Sequence, residues 1–180
     1  VVAHGMNEYH RQFEKLQEKN TFKGQQWFGE RKDLVEEYSW AVPNEEVLRY
    51  VAEFDSIIEV GAGSGYWAHC INEMGGNVRA TDIDPPDETW TTVEQADVID
   101  LDLNGDAVLT VWPPLGKYVA GYIPAAEADH ILYVGEPRGG CTGDDSFFDR
   151  LDEKYGLVAK IEIPSYAGIH DDFYHYVRKV

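Results

Sequence analysis

An apolar run, Ile57, Ile58 and Val60, passes directly into three alternating glycines, Gly61, Gly63 and Gly65, and then into a helix-like segment that stops at Gly75-Gly76. Strand, tight turn and helix in that order form the unit that nucleotide-type ligands exploit. Glycine gives the turn access to positive φ and lets a ligand approach backbone that carries no Cβ. The helix that follows has N–H groups without intrahelical partners at its start, aimed into the same space. Spacing separates the kinds of turn. A dinucleotide fingerprint reads G-x-G-x-x-G, and its third glycine allows close helix–strand packing. Here the third glycine comes one position early, and Tyr66 stands where that fingerprint needs glycine.

Length and composition bound the rest. With 180 residues, 43% of them hydrophobic, the chain suits one domain with a single real core. No apolar run approaches the roughly 20 residues that span a bilayer, so no membrane partner is expected. The start shows no basic stretch leading into an apolar one, as a secretory signal would, and Met6 is a candidate native start. Fifteen basic against thirty-three acidic residues give a net charge of −18. Such a surface repels polyphosphate and gains nothing from counterion release, which argues against nucleic acid as partner. The acidity reads as solubility or adaptation to high salt. Cys70 and Cys141 are far apart, and neither has a neighbour at metal-ligand spacing. No metal is called for, and free thiols fit a cytoplasmic location.

Along the chain, Tyr9, Phe13 and Leu16 share one face of an amphipathic helix over residues 7–20, expected to pack as a cover. An aromatic-rich segment follows to Pro43, where Tyr38 and Trp40 are candidates for closing a cleft or for core packing. Asn44 reads as the N-cap of the next helix, with glutamates in its first turn. Residues 77–86 give a second short strand with Asp82 at its end, and Asp84 is a turn residue before Pro85 and Pro86. A third strand precedes Ala96 and Asp97, and a fourth ends at Trp112, Pro113 and Pro114. Strand ends of this kind face the ligand crevice of an open α/β sheet. A fifth strand enters the loop PRGGCTGDDSFFDRL, where Thr142 and Asp145 have the spacing of a capping box. Gly139, Gly140 and Gly143 could make a further anion or substrate turn, and a mobile loop at the crevice is the expected description. Two alternating segments then flank a turn carrying His170, Asp171 and Asp172, as a β-hairpin would. His170 and Asp171 are the His–acid neighbours nearest the expected crevice, and so the candidate catalytic pair.

Glu59 followed by Gly61-Ala62-Gly63-Ser64-Gly65 resembles motif I of the class I S-adenosylmethionine-dependent methyltransferases, an acidic residue and then G-x-G-x-G. The resemblance runs from about Asn44 to the C-terminus. It divides the chain into a cover segment, 1–43, and a Rossmann-like domain, 44–180. It implies a mostly parallel seven-stranded sheet with the last strand inserted antiparallel and helices on both faces. It also implies S-adenosyl-L-methionine as cofactor and S-adenosyl-L-homocysteine as product. Glu59 would then sit by the cofactor's amino group, with Gly61, Ala62, Gly63 and Gly65 shaping the pocket floor. Asp82, followed by Ile83, would hold the ribose, since two carboxylate oxygens can accept from both hydroxyls of a cis diol. Ala96 and Asp97 would meet the adenine. The Trp112-Pro113-Pro114 triplet resembles motif IV of the amino-methyltransferases, which usually begins with Asn or Asp. Trp112 offers only an N–H donor, so its expected part is stacking of a flat substrate or packing of its own indole.

The reading that follows is a methyltransferase acting on a small molecule or a protein side chain. A nucleobase amino-methyltransferase, a cofactor-binding protein without transfer and a nicotinamide enzyme are the alternatives.

Overall fold

The computed structural model describes residues 7–19, 25–104, 107–116 and 122–180; Met6 lies outside them. Three helices come first: α1 (Glu8–Glu18), α2 (Gln25–Glu37) and α3 (Glu45–Ala52). Then β1 (Ile57–Val60), α4 (Tyr66–Glu73), β2 (Val78–Asp82), β3 (Val93–Gln95), β4 (Ala107–Val111) and a short α5 (Tyr122–Ala125) alternate. The chain finishes with β5 (His130–Gly135), α6 (Asp145–Lys154), β6 (Tyr155–Glu162) and β7 (Asp172–Arg178). The strands form one sheet in the order β3-β2-β1-β4-β5-β7-β6. The first five are mutually parallel, and β7 is inserted antiparallel between β5 and β6.

Both faces of this sheet are covered, and the strands alternate between them. Ile57, Leu109, Leu132, Val134 and Phe173 pack on the side of α1, α3 and α4. Ile58, Val60, Val108, Ile131, Tyr133 and Tyr174 pack on the side of α5 and α6. This is why β1, β4 and β5 read as near-continuous apolar runs. Tyr9, Phe13 and Leu16 of α1 are buried in the first of these clusters, so the cover segment shares a core with the helices behind it. Its contacts are polar as well: the Tyr66 hydroxyl accepts from the Tyr9 N–H at 3.0 Å, and the Tyr9 and Tyr166 hydroxyls lie 3.1 Å apart.

Asn44 caps α3 as its sequence position suggests, its Oδ1 accepting from the Val47 N–H at 3.0 Å. Its Nδ2 also donates to the Glu162 carbonyl at 2.9 Å. Two local expectations are corrected. Asp144, not Thr142, caps α6, accepting from the Phe147 N–H at 3.0 Å. Thr142 is fully buried, and its hydroxyl accepts from the Glu136 N–H at 2.8 Å, so it is tied to the end of β5 and not to α6. Asp172 is the first residue of β7 and pairs with Lys160 at 2.9 Å, outside the connecting turn. Asn44→Ala removes a cap and a link to β6, and it is expected to lower stability by about 1–2 kcal/mol, read as a lower urea midpoint with unchanged slope.

Candidate functional site

The sheet order changes direction at β1 and β4, and the crevice of an open α/β sheet opens at such a point, beyond the carboxyl ends of the strands. The glycine turn lies there. Gly61 and Gly63 have φ of +74° and +53°, and a Cβ on either would meet nothing within 4 Å. Their glycine identity is set by conformation, and the space beside them stays open. Gly65, also left-handed, has a second reason: a Cβ would stand 2.8 Å from Val93 Cγ2. The first two amides of the turn, Gly61 and Ala62, donate to the Thr81 carbonyl at 3.0 and 2.9 Å. The third, Gly63, donates to Asp82 Oδ2 at 2.8 Å, and the Asp84 N–H donates to Oδ1 at 2.9 Å. Asp82 thus clamps the turn while each of its oxygens retains a lone pair.

A cleft of about 240 Å³ adjoins this turn, bounded by Tyr38, Trp40, Glu59, Ala62, Ser64 and Val111 among others. Its walls are tied down. The Trp67 indole N–H donates to the Ala41 carbonyl at 3.1 Å, and the Ser64 hydroxyl donates to the Tyr38 carbonyl. Glu59 occupies the same side of β1 as Ile57, where strand alternation calls for an apolar residue. It is 1% exposed, and its Oε2 has no hydrogen-bond partner. Burial pushes its carboxyl up to about 8, with the Asp82 charge adding to the rise and the Ala68 backbone opposing it. A buried carboxyl oxygen without a donor, at the wall of a cleft, marks a candidate functional position.

Ile83, Ala96 and Asp97 are on the loops after β2 and β3 and are not among the residues that bound this cleft. The Ala96 N–H donates to the Asp82 carbonyl at 2.8 Å, which joins the two loops. Asp97 caps a 3-10 turn over Val98–Asp100, accepting from the Ile99 N–H at 3.2 Å. Ile83 and Ile99 are aliphatic yet 61% and 56% exposed. Sequence reasoning missed Ile99; an apolar residue two places beyond Asp97 was the available signal.

At the end of β4, Trp112 has a left-handed backbone, φ 53°. Its N–H donates to the Val134 carbonyl and its indole N–H to Asp171 Oδ1, both at 2.8 Å. Pro113 is buried and its carbonyl accepts from the Gly143 N–H at 3.0 Å, whereas Pro114 is exposed. His170 and Asp171 are held by different partners. Asp171 is buried, and burial pushes its carboxyl up to about 6, against the indole N–H and with help from Glu136. The His170 side chain is exposed, with Nδ1 3.6 Å from Glu136 Oε1. Glu136 also went unrecognised in the sequence. Burial works to raise its carboxyl, but backbone N–H groups of Cys141 at 2.6 Å and His170 at 3.0 Å hold it below the usual range.

No protein-family model and no curated protein matches the chain. Solved structures do. A Burkholderia thailandensis 1,6-didemethyltoxoflavin-N1-methyltransferase, with 1,6-didemethyltoxoflavin and S-adenosylhomocysteine bound, superposes with a TM-score of 0.56 at 15% identity, over 76% of this chain and 78% of that one. A magnesium protoporphyrin IX methyltransferase from Synechocystis PCC 6803, with S-adenosylhomocysteine bound, gives 0.57 at 12%, over 93% and 94%. The N-methyltransferase NodS from Bradyrhizobium japonicum gives 0.50 at 13%, over 75% and 93%. The chain therefore has the Rossmann-like fold of the class I methyltransferases, with the seven-stranded mixed sheet of that class. Among the described residues no group of His, Cys, Asp and Glu is arranged to hold a metal, and no helix is long and apolar enough to cross a membrane.

The Glu59 environment has a measurable sign. Its folded-state pKa is raised, so the proton it keeps stabilises the fold at low pH, and that contribution is lost as pH rises from about 4.5 to about 8. Glu59→Gln is expected to be more stable than the parent above pH 8, with a flatter stability profile below it, in urea titrations across that range.

Proposed function

We propose that the protein is an S-adenosylmethionine-dependent methyltransferase acting on a small molecule or a protein side chain. The observation that carries this is Glu59, a buried carboxyl whose Oε2 has no hydrogen-bond partner, on the wall of a glycine-lined cleft. When bound, the cofactor supplies a methyl group on a positively charged sulfur and leaves as S-adenosylhomocysteine. Glu59 faces the cofactor's ammonium end, and ionising there gives the buried carboxylate the partner it otherwise lacks. Gly61, Ala62 and Gly63 form the floor, where the missing Cβ of Gly61 and Gly63 permits close approach, and Gly65 serves the turn by packing against Val93. Asp82 accepts from the ribose hydroxyls through the lone pairs that Gly63 and Asp84 leave free. Ile83 and Ile99 offer apolar contact to the adenine, with Ala96 and Asp97 at its edge. Methyl transfer is an in-line displacement, so holding acceptor and methyl in contact supplies much of the rate. His170, exposed beside Glu136, is the member of the sequence-predicted pair free to take a proton from an acceptor. Asp171 is committed to Trp112.

Other readings fare less well on particular residues. A nucleobase amine needs a side-chain acceptor at the end of β4, yet Trp112 offers only an N–H donor, and that is already given to Asp171. The net charge of −18 also disfavours nucleic acid. A nicotinamide enzyme needs a small residue where the buried Tyr66 stands. The two free thiols suit a reducing compartment such as the cytoplasm.

Calorimetric titration is expected to show binding of S-adenosylmethionine and S-adenosylhomocysteine but not of NAD. Absence of binding to the first two by folded protein overturns the reading. Asp82→Ala should keep the fold and lose about tenfold or more in affinity, since the lost groups are hydrogen bonds to a charged acceptor. Ionisation of Glu59 on binding is expected to release a proton at pH 7, seen as an enthalpy that depends on the buffer, and Glu59→Gln should abolish that dependence.

A further inference from the structure

Beside the cleft, two indoles lie face to face. Trp112, immediately after β4, and Trp40, between α2 and α3, stack with centroids 5.0 Å apart and planes within 10°. Trp40 is also part of the cleft wall. It remains 53% exposed, so with one face on Trp112 its other face is open. The face of Trp112 that the sequence offered for stacking is therefore taken, and the available aromatic surface is one ring further out.

The arrangement is held more firmly than burial of these rings requires. Trp112 adopts a left-handed backbone that is unfavourable for a side chain of its size. Hydrogen bonds to Val134 and to Asp171 keep it there, and the Asp171 N–H is in turn bonded to Ser165 Oγ at 2.9 Å. An indole stacked only to escape water would turn inward, yet Trp112 is partly exposed and Trp40 more so. Strain kept in place by surrounding structure is characteristic of ligand sites. The charged groups nearby are Glu36 on the cleft wall, Asp171 behind Trp112 with Glu136 acting on it, and Arg31 over the Tyr166 ring. Carboxylates predominate, which disfavours a phosphorylated or carboxylated ligand, and indole faces attract cations.

We propose that the open face of Trp40 is the platform on which a flat aromatic methyl acceptor, uncharged or cationic, lies against the cofactor cleft, with Trp112 and Asp171 as positioning residues. This rests on the cleft taking S-adenosylmethionine. The test is equilibrium dialysis of quinoline, N-methylquinolinium and the saturated, non-planar decahydroquinoline against protein saturated with S-adenosylhomocysteine. Both flat rings are expected to bind saturably, and decahydroquinoline about tenfold more weakly. Trp40→Ala should weaken the flat rings by a similar factor, with Trp40→Phe retaining most of the binding. Asp171→Ala should weaken them too, and Asp171→Asn, which keeps an acceptor for the indole N–H, should restore them. Equal binding of the saturated ring, no effect of Trp40→Ala, or no saturable binding of either flat ring overturns the proposal. Should S-adenosylhomocysteine itself fail to bind, the cofactor reading falls, and the same titrations on the protein alone apply the same criteria to the Trp40 face.

Discussion

The carboxylate of Asp82 is the interaction on which the site depends. Three left-handed glycines at the end of β1 leave backbone amides that must be satisfied as the chain turns into α4. The Thr81 carbonyl takes the first two and Asp82 the third, a charge-assisted bond from the end of the neighbouring strand. The same carboxylate fixes Asp84 at the start of the next loop, and that loop returns so that the Trp90 N–H reaches the Ser64 carbonyl at 2.8 Å. Parallel pairing of β1 with β2 sets the Asp82 position, so the cleft floor follows from sheet register.

Three buried carboxyls near the crevice have been given different chemistry by their surroundings. Glu59 has an oxygen without any donor and is held neutral by burial. Glu136 accepts from two backbone N–H groups and stays ionised. Asp171 has one indole donor against burial and the Glu136 charge, and falls between them. The number of donors each oxygen meets decides the outcome, as expected where desolvation and hydrogen bonding compete. Among the described acidic residues, these three stand apart by burial and not by sequence.

Much of the architecture was legible in the sequence because it rests on local periodicity and local chemistry. The apolar run before Gly61, the Asn44 cap, the alternating C-terminal pair and the helical face of Tyr9, Phe13 and Leu16 each depend on residues close together in the chain. The glycine turn and the strand-end positions of Glu59 and Asp82 were legible for the same reason, because position in the element is set locally. What failed was a helix-capping pattern set against a competing partner in the preceding loop and strand. Thr142 has capping-box spacing, but Glu136 and Tyr133 claim its hydroxyl.

The sequence by itself determined the α/β class, the crevice at the end of β1 and the residues lining its floor, since a strand–turn–helix unit specifies its own geometry over a few residues. Only the tertiary structure decided the rest. It separated His170 from Asp171 by giving them Glu136 and Trp112 as partners, 34 and 59 residues away along the chain. It laid Trp40 over Trp112, and it left Glu59 Oε2 without a hydrogen-bond partner. Those contacts join segments far apart in the chain, where pairing depends on how the layers pack, and no spacing within the sequence encodes it.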